Sequence, residues 1–97
     1  MEFIQIVEYQ SSDIDAVIEI ARASEYPEGA VKPLSVIVVK DRDRPNTYAT
    51  LLRFASYEDA MAHSESDSTH ERLKQLAPLM EGERRFYNLD IVNEDQP

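Results

Sequence analysis

Apolar and polar positions along the chain follow two distinct periods. Phe3 to Tyr9 is short and rich in β-branched and aromatic residues, which predicts a strand. Ser11-Ser12-Asp13 then carries a helix start signal, with Ser12 as the expected N-cap and Asp15 three residues on. Ile14, Val17, Ile18 and Ala21 recur at i, i+3, i+4 and i+7, so they share one face of a helix predicted over residues 13–25. Tyr26-Pro27-Glu28-Gly29 ends it. Leu34 to Lys40 is the clearest strand. The polar turn Asp41–Asn46 joins it to a strand from Thr47 to Ala55, which makes a hairpin.

Ser56, with Asp59 three residues later, predicts the cap of a second helix whose inner face holds Tyr57, Ala60, Met61 and Ser64. The polar stretch Ser64–Ser68 breaks that helix. A further helical segment places Leu73, Leu76, Ala77 and Met80 on one side, and Pro78 ends or kinks it. Glu81-Gly82-Glu83 reads as a turn, Arg85 to Val92 as a last strand, and Asn93 onward as a polar tail. No internal repeat is present, so residues 1–97 are read as a single domain. The order predicts an α+β, ferredoxin-like βαββαβ fold: a four-stranded antiparallel sheet with helices on one face.

The strands depart from the alternation of a half-solvated sheet. Leu34, Val36 and Val38 lie on one face of their strand, and Ile37 and Val39 on the other. The next strand opposes Tyr48, Leu52 and Phe54 to Ala49, Leu51 and Ala55. Helices cover only one face of such a sheet. The second face therefore calls for a partner, and a symmetric homodimer with its sheets packed face to face is expected.

Composition narrows the chemistry. The chain holds no cysteine and no tryptophan, and its formal net charge is -9. Thiol nucleophiles and thiolate metal sites are excluded, and the basic footprint of a nucleic-acid binder is missing. The N-terminus lacks the basic and apolar regions of a signal peptide. The run Val36–Val39 falls far short of the ~20 residues that span a bilayer. A cytoplasmic protein without membrane or nucleic-acid partners is expected. His63, Glu65, Asp67, His70 and Glu71 have the wrong spacing for a helical metal-binding His pair, so they read as a solvated loop and no metal is expected.

From the third strand into the second helix, the stretch Tyr48 to Ser64 resembles the antibiotic-biosynthesis-monooxygenase-like family of the dimeric α+β barrel superfamily. Phe54 at the strand exit, the Ser56 cap, the small Ala60 and His63 carry the likeness. The resemblance implies a homodimer whose two sheets close into a barrel with helices outside. It implies activities that include oxidation of aromatic compounds by molecular oxygen without a cofactor. The haem-degrading relatives use a tryptophan that this chain lacks.

The expectation is a cofactor-independent monooxygenase-like enzyme acting on a small aromatic or polyketide-like substrate. The alternative is a non-catalytic ligand-binding or interaction homodimer on the same scaffold. His63 is the candidate base, since an unperturbed imidazole titrates near ~6.5; the alternative is a partly exposed or capping histidine at a helix end. Tyr48 or Asn88 would orient it. Tyr9, Arg53, Phe54, Met61 and Phe86 are the candidate substrate-binding residues. Two alternatives stay open: Asn88 and Asp90 line either a cavity or the solvent face of an edge strand, and Arg53 serves either substrate or a structural carboxylate such as Glu8.

Overall fold

Strand pairing sorts the side chains before any helix is added. A computed structural model describes residues 1–23 and 26–97 of the chain. Strands β1 (Phe3–Gln10), β2 (Ser35–Lys40), β3 (Thr47–Phe54) and β4 (Glu81–Asp90) form one antiparallel sheet in the order β2-β3-β1-β4. Helix α1 (Ile14–Ala23) follows β1, and α2 (Tyr57–Glu65) and α3 (Asp67–Leu76) lie between β3 and β4. This is the ferredoxin-like βαββαβ topology, with the helices on one face. None of the described helices is long and apolar enough to cross a membrane.

Register fixes which residues share a face. Phe3 pairs with Phe54, Gln5 with Leu52, Val7 with Thr50 and Tyr9 with Tyr48, so these eight side chains share one face. On the other side of β1, Gln5 pairs with Asn88 and Val7 with Phe86. Phe3 (2% exposed), Phe54 (0%) and Ala60 of α2 (0%) form the buried core, with Leu52 and Met61 packed against them. Tyr57 adds an edge-to-face contact on Phe3, with centroids 5.4 Å apart. The cover ends at the middle two strands, because Val36 of β2 and Phe86 of β4 remain exposed on the same side.

The opposite face carries Ile4, Ile6, Leu51, Ile37, Val39, Tyr87 and Leu89. Of these, Ile37, Val39, Tyr87 and Leu89 are exposed. The two apolar faces expected from the sequence are therefore present, and the helices cover one of them.

Local signals place most boundaries. Ser56 caps α2, its hydroxyl accepting from the Asp59 backbone N–H at 3.1 Å. Ser66 closes α2 and opens α3: its N–H donates to the His63 carbonyl, and its hydroxyl accepts from the Thr69 N–H. Two expectations are corrected. Asp13, not Ser12, caps α1, because its carboxylate accepts from the Ala16 N–H at 3.2 Å while the Ser11 hydroxyl accepts from the Asp13 N–H. Aspartate caps as well as serine does, and here it stands directly before the first helical residue. Residues 24 and 25, the expected end of that helix, lie outside the described residues. The segment Glu81-Gly82-Glu83 belongs to β4 instead of a turn. There Gly82 takes a φ of 71° opposite a register shift between Glu8 and Gln10, a conformation glycine adopts without a steric penalty.

Candidate functional site

Helix α2 positions its chemistry through the same cap that starts it. With Tyr57 as its first residue, Ala60 faces the Phe3–Phe54 core, and His63 follows three residues later on nearly the same side. The His63 ring lies 5.2 Å from Phe54, centroid to centroid, tilted by 54°. Tyr26 is a second ring neighbour, at 6.0 Å and 38°. His63 is only 5% exposed, and its Nε2 has no hydrogen-bond partner. Burial pushes its pKa below the usual imidazole value, and the Arg72 charge pushes the same way. The ring is thus a neutral imidazole near pH 7.

That shift carries a stability consequence. The unfolded chain binds a proton at His63 near pH ~6.5, and the folded chain binds it only at lower pH. The contribution of neutral His63 is fully present above about 6.5 and declines as pH falls from there through the lower folded pKa. Urea unfolding of the wild type and His63→Gln, compared at several pH values from 7.5 downward, should show the wild type losing stability relative to the variant. A difference independent of pH would contradict the assignment.

Of the other candidates, Phe54 lies beside His63, and Tyr48, Tyr9, Asn88 and Arg53 make their contacts elsewhere. Tyr48 lies six residues from Phe54 along β3, about 20 Å at the usual rise. It stacks on Tyr9 instead, at 6.3 Å. The Tyr9 hydroxyl shares a 2.9 Å hydrogen bond with Thr50, and burial raises its pKa. Asn88 sits on the edge strand β4 and accepts from the Gln5 amide at 3.3 Å, two strands away from Phe54. The expectation that Tyr48 or Asn88 orients His63 is therefore not met. Phe54 and Met61 belong to the core beneath α2, and Phe86 is exposed at the margin of the helix-covered face.

Arg53 is placed on the opposite face. Its guanidinium donates to Glu2 through Nε and to both Glu94 oxygens through its terminal nitrogens, at 2.9 and 2.7 Å. Glu8, the partner considered from the sequence, pairs with Arg44 at 3.0 Å. Register explains the difference, since Arg53 stands opposite Ile4 and Glu8 stands opposite Ala49. Arg53 holds the Glu94 carboxyl below its usual range.

The residues that do gather near His63 were not singled out in the sequence. Tyr26 receives Lys32 Nζ at 5.8 Å and the Arg72 guanidinium carbon at 5.3 Å from its ring centre. Tyr26 and Lys32 lie outside any helix or strand, where no periodicity announces them. Among the described residues, no group of three or more His, Asp or Glu is placed to hold a metal ion. Two open grooves, one on α1 and one beside the Gly82 bulge, are not lined by His63.

No protein-family model matches the chain, and no curated protein matches it. Solved structures do. A Caulobacter crescentus protein described as a candidate antibiotic biosynthesis monooxygenase superposes with a TM-score of 0.78 at 14% identity, over 95% of this chain and 91% of that one. SnoaB, a cofactor-independent oxygenase from Streptomyces nogalater, gives 0.75 at 10% identity, over 96% and 95%. A dimeric ferredoxin-like protein of unknown function from Thermobifida fusca gives 0.72 at 13% identity, over 94% and 92%. Similarity at this level of identity speaks to backbone architecture and leaves chemistry to the side chains. The chain has the ferredoxin-like fold of the antibiotic-biosynthesis-monooxygenase-like proteins.

Proposed function

We propose that residues 1–97 act as one domain of a homodimer, a cofactor-independent oxygenase in which His63 removes a proton from a small aromatic or polyketide-like substrate. The observation that carries this reading is the His63 ring itself, buried, neutral and with Nε2 unpartnered. Such a nitrogen accepts a proton from a phenol or an activated methylene. The electron-rich anion then reacts with molecular oxygen: one oxygen atom bonds to carbon, and the other leaves as water with two hydrogens from the substrate, both from the carbon of a methylene or one from the ring carbon and one from the hydroxyl of a phenol. The Phe54 ring beside His63 suits a planar substrate. The shared fold with SnoaB is consistent with this chemistry.

The homodimer in this proposal uses the uncovered sheet face. Pairing two such faces would bury Ile37, Val39, Tyr87 and Leu89 of each copy. In the resulting barrel the helices lie outside.

The test is oxygen uptake across a panel of hydroxyaromatic compounds. On any compound that is turned over, His63→Ala should lower the rate at least tenfold, about 1.4 kcal/mol of transition-state stabilisation. An unchanged rate would remove His63 from the mechanism. The placement of Tyr48 and Asn88 away from His63 favours a second reading, a ligand-binding dimer without turnover. Ligand binding with no oxygen uptake by any panel member would select it.

A further inference from the structure

An unmet hydrogen bond at a buried polar atom costs about 1–3 kcal/mol, so each one in a native fold asks for a partner. His63 Nε2 is such an atom. The neutral ring offers a lone pair there once its proton is on the other nitrogen, so the partner it lacks is an O–H or N–H donor and not an anion. Two aromatic rings neighbour the imidazole, Phe54 at 5.2 Å and Tyr26 at 6.0 Å.

Tyr26 is held in an unusual way for a loop residue. Its ring meets two cations, Lys32 at 5.8 Å and Arg72 at 5.3 Å. Cations on a ring face favour electron-rich rings, which hydroxyl substitution supplies. A hydroxyaromatic ring in its place would meet the same two cations, whereas Tyr26 leaves Nε2 unsatisfied. Its tether lies outside the secondary structure. Residues 26–34 belong to no helix or strand and are fixed by a turn from the Ala30 N–H to the Pro27 carbonyl, with Gly29 at φ 82°, and by the Leu34 N–H on the Arg53 carbonyl. Moving Tyr26 requires no break in α2, α3 or the sheet.

We propose that Tyr26 is a built-in occupant of the substrate site, and that a phenolic substrate enters by displacing it, placing its own ring beside Lys32 and Arg72 and its hydroxyl on His63 Nε2. The incoming O–H supplies the hydrogen bond that Tyr26 does not, which biases the exchange toward the ligand. This inference rests on the assignment of His63 as the base, and it names the substrate class and the gate for that base.

The probe is 2-naphthol, titrated into the full chain and followed by NMR. The chain has two histidines, so the Cε1–H signals are two, and His63→Gln identifies them. The His63 signal should move and the His70 signal should stay. Tyr26→Ala should bind 2-naphthol at least fivefold more tightly than the wild type, while Tyr26→Phe, which keeps the ring, should match it. Methylating the hydroxyl, as in 2-methoxynaphthalene, should weaken binding at least fivefold. Equal or weaker binding by Tyr26→Ala, a motionless His63 signal, or equal affinity for the methyl ether would each overturn the proposal. Should Tyr26→Ala fail to fold, the wild type decides: its Tyr26 ring signals must lose their ring-current shift as 2-naphthol binds, and signals that stay put overturn the gate. Binding with these signatures but without oxygen uptake refutes the oxygenase and leaves the gate standing. A His63-dependent oxygen uptake with no effect of Tyr26→Ala on affinity refutes the gate alone.

Discussion

Phe54→Ala should destabilise the protein by about 3–5 kcal/mol, measured as a fall in the urea midpoint with an unchanged slope. Phe54 is fully buried, and it meets Phe3, Ala60 and the His63 ring at the end of β3. Removing it takes away the apolar burial of one large ring and leaves a cavity that Ala60, with no side chain to extend, cannot fill. Small domains hold only about 5–15 kcal/mol in all, so this one change consumes a large share of the fold. Its chain neighbour supplies the control. Ala55 is exposed, and Ala55→Ser should shift stability by about 0.5 kcal/mol or less. A loss under about 1 kcal/mol for Phe54→Ala would mean that α2 does not pack on the sheet as described. The same variant should draw the His63 pKa back toward its ordinary value, because the ring that desolvates one face is gone.

The second large effect concerns association. The wild type should run at twice its 11.1 kDa mass in light scattering coupled to size exclusion at micromolar concentration, and Ile37→Lys should run as a monomer. Ile37 is 52% exposed in the single chain, so lysine there leaves the subunit fold nearly untouched. In a face-to-face pair the same ammonium would be buried without a partner, which costs several kcal/mol per ion, and dimer affinity should drop at least a hundredfold. Lysine is chosen over glutamate because each chain already carries a formal net charge of -9, and added negative charge would repel a second copy without any buried contact. A wild type that stays monomeric, or an Ile37→Lys variant that still pairs with unchanged affinity, would defeat the dimer.

The elements that were legible in the sequence are those written locally. Val36–Val39 and Thr47–Phe54 form the hairpin that their β-branched and aromatic content implies. Ser56 caps α2, and the polar stretch around Ser66 separates α2 from α3, because caps act over three residues of chain. What the sequence concealed depends on partners far along the chain. The start of β4 at Glu81 exists through its pairing with Gln10, and a Glu-Gly-Glu stretch carries no strand signal of its own. Arg53 finds Glu2 and Glu94, 51 and 41 residues away, across a distance in the chain that no local signal bridges. His63 was visible as a candidate, but its surroundings were not. Tyr26, Lys32 and Arg72 come from a loop and from α3, and no spacing rule links them to α2.

One irregularity in the sheet governs how this chain can change length. Gly82 to Arg84 of β4 all stand against the single residue Tyr9 of β1, between the Glu8–Arg85 and Gln10–Glu81 pairs. From Arg85 to Asp90 the pairing is unbroken, and an inserted or deleted residue there would turn Phe86, Asn88 and their neighbours onto the opposite face. At Gly82 the ladder already carries slack, and Glu81, Gly82 and Glu83 are all exposed. Additions and losses can be taken up at that end without re-sorting core from surface. The bulge thus separates a stretch of β4 that is free to drift in length from one whose residue count is locked to the rest of the sheet.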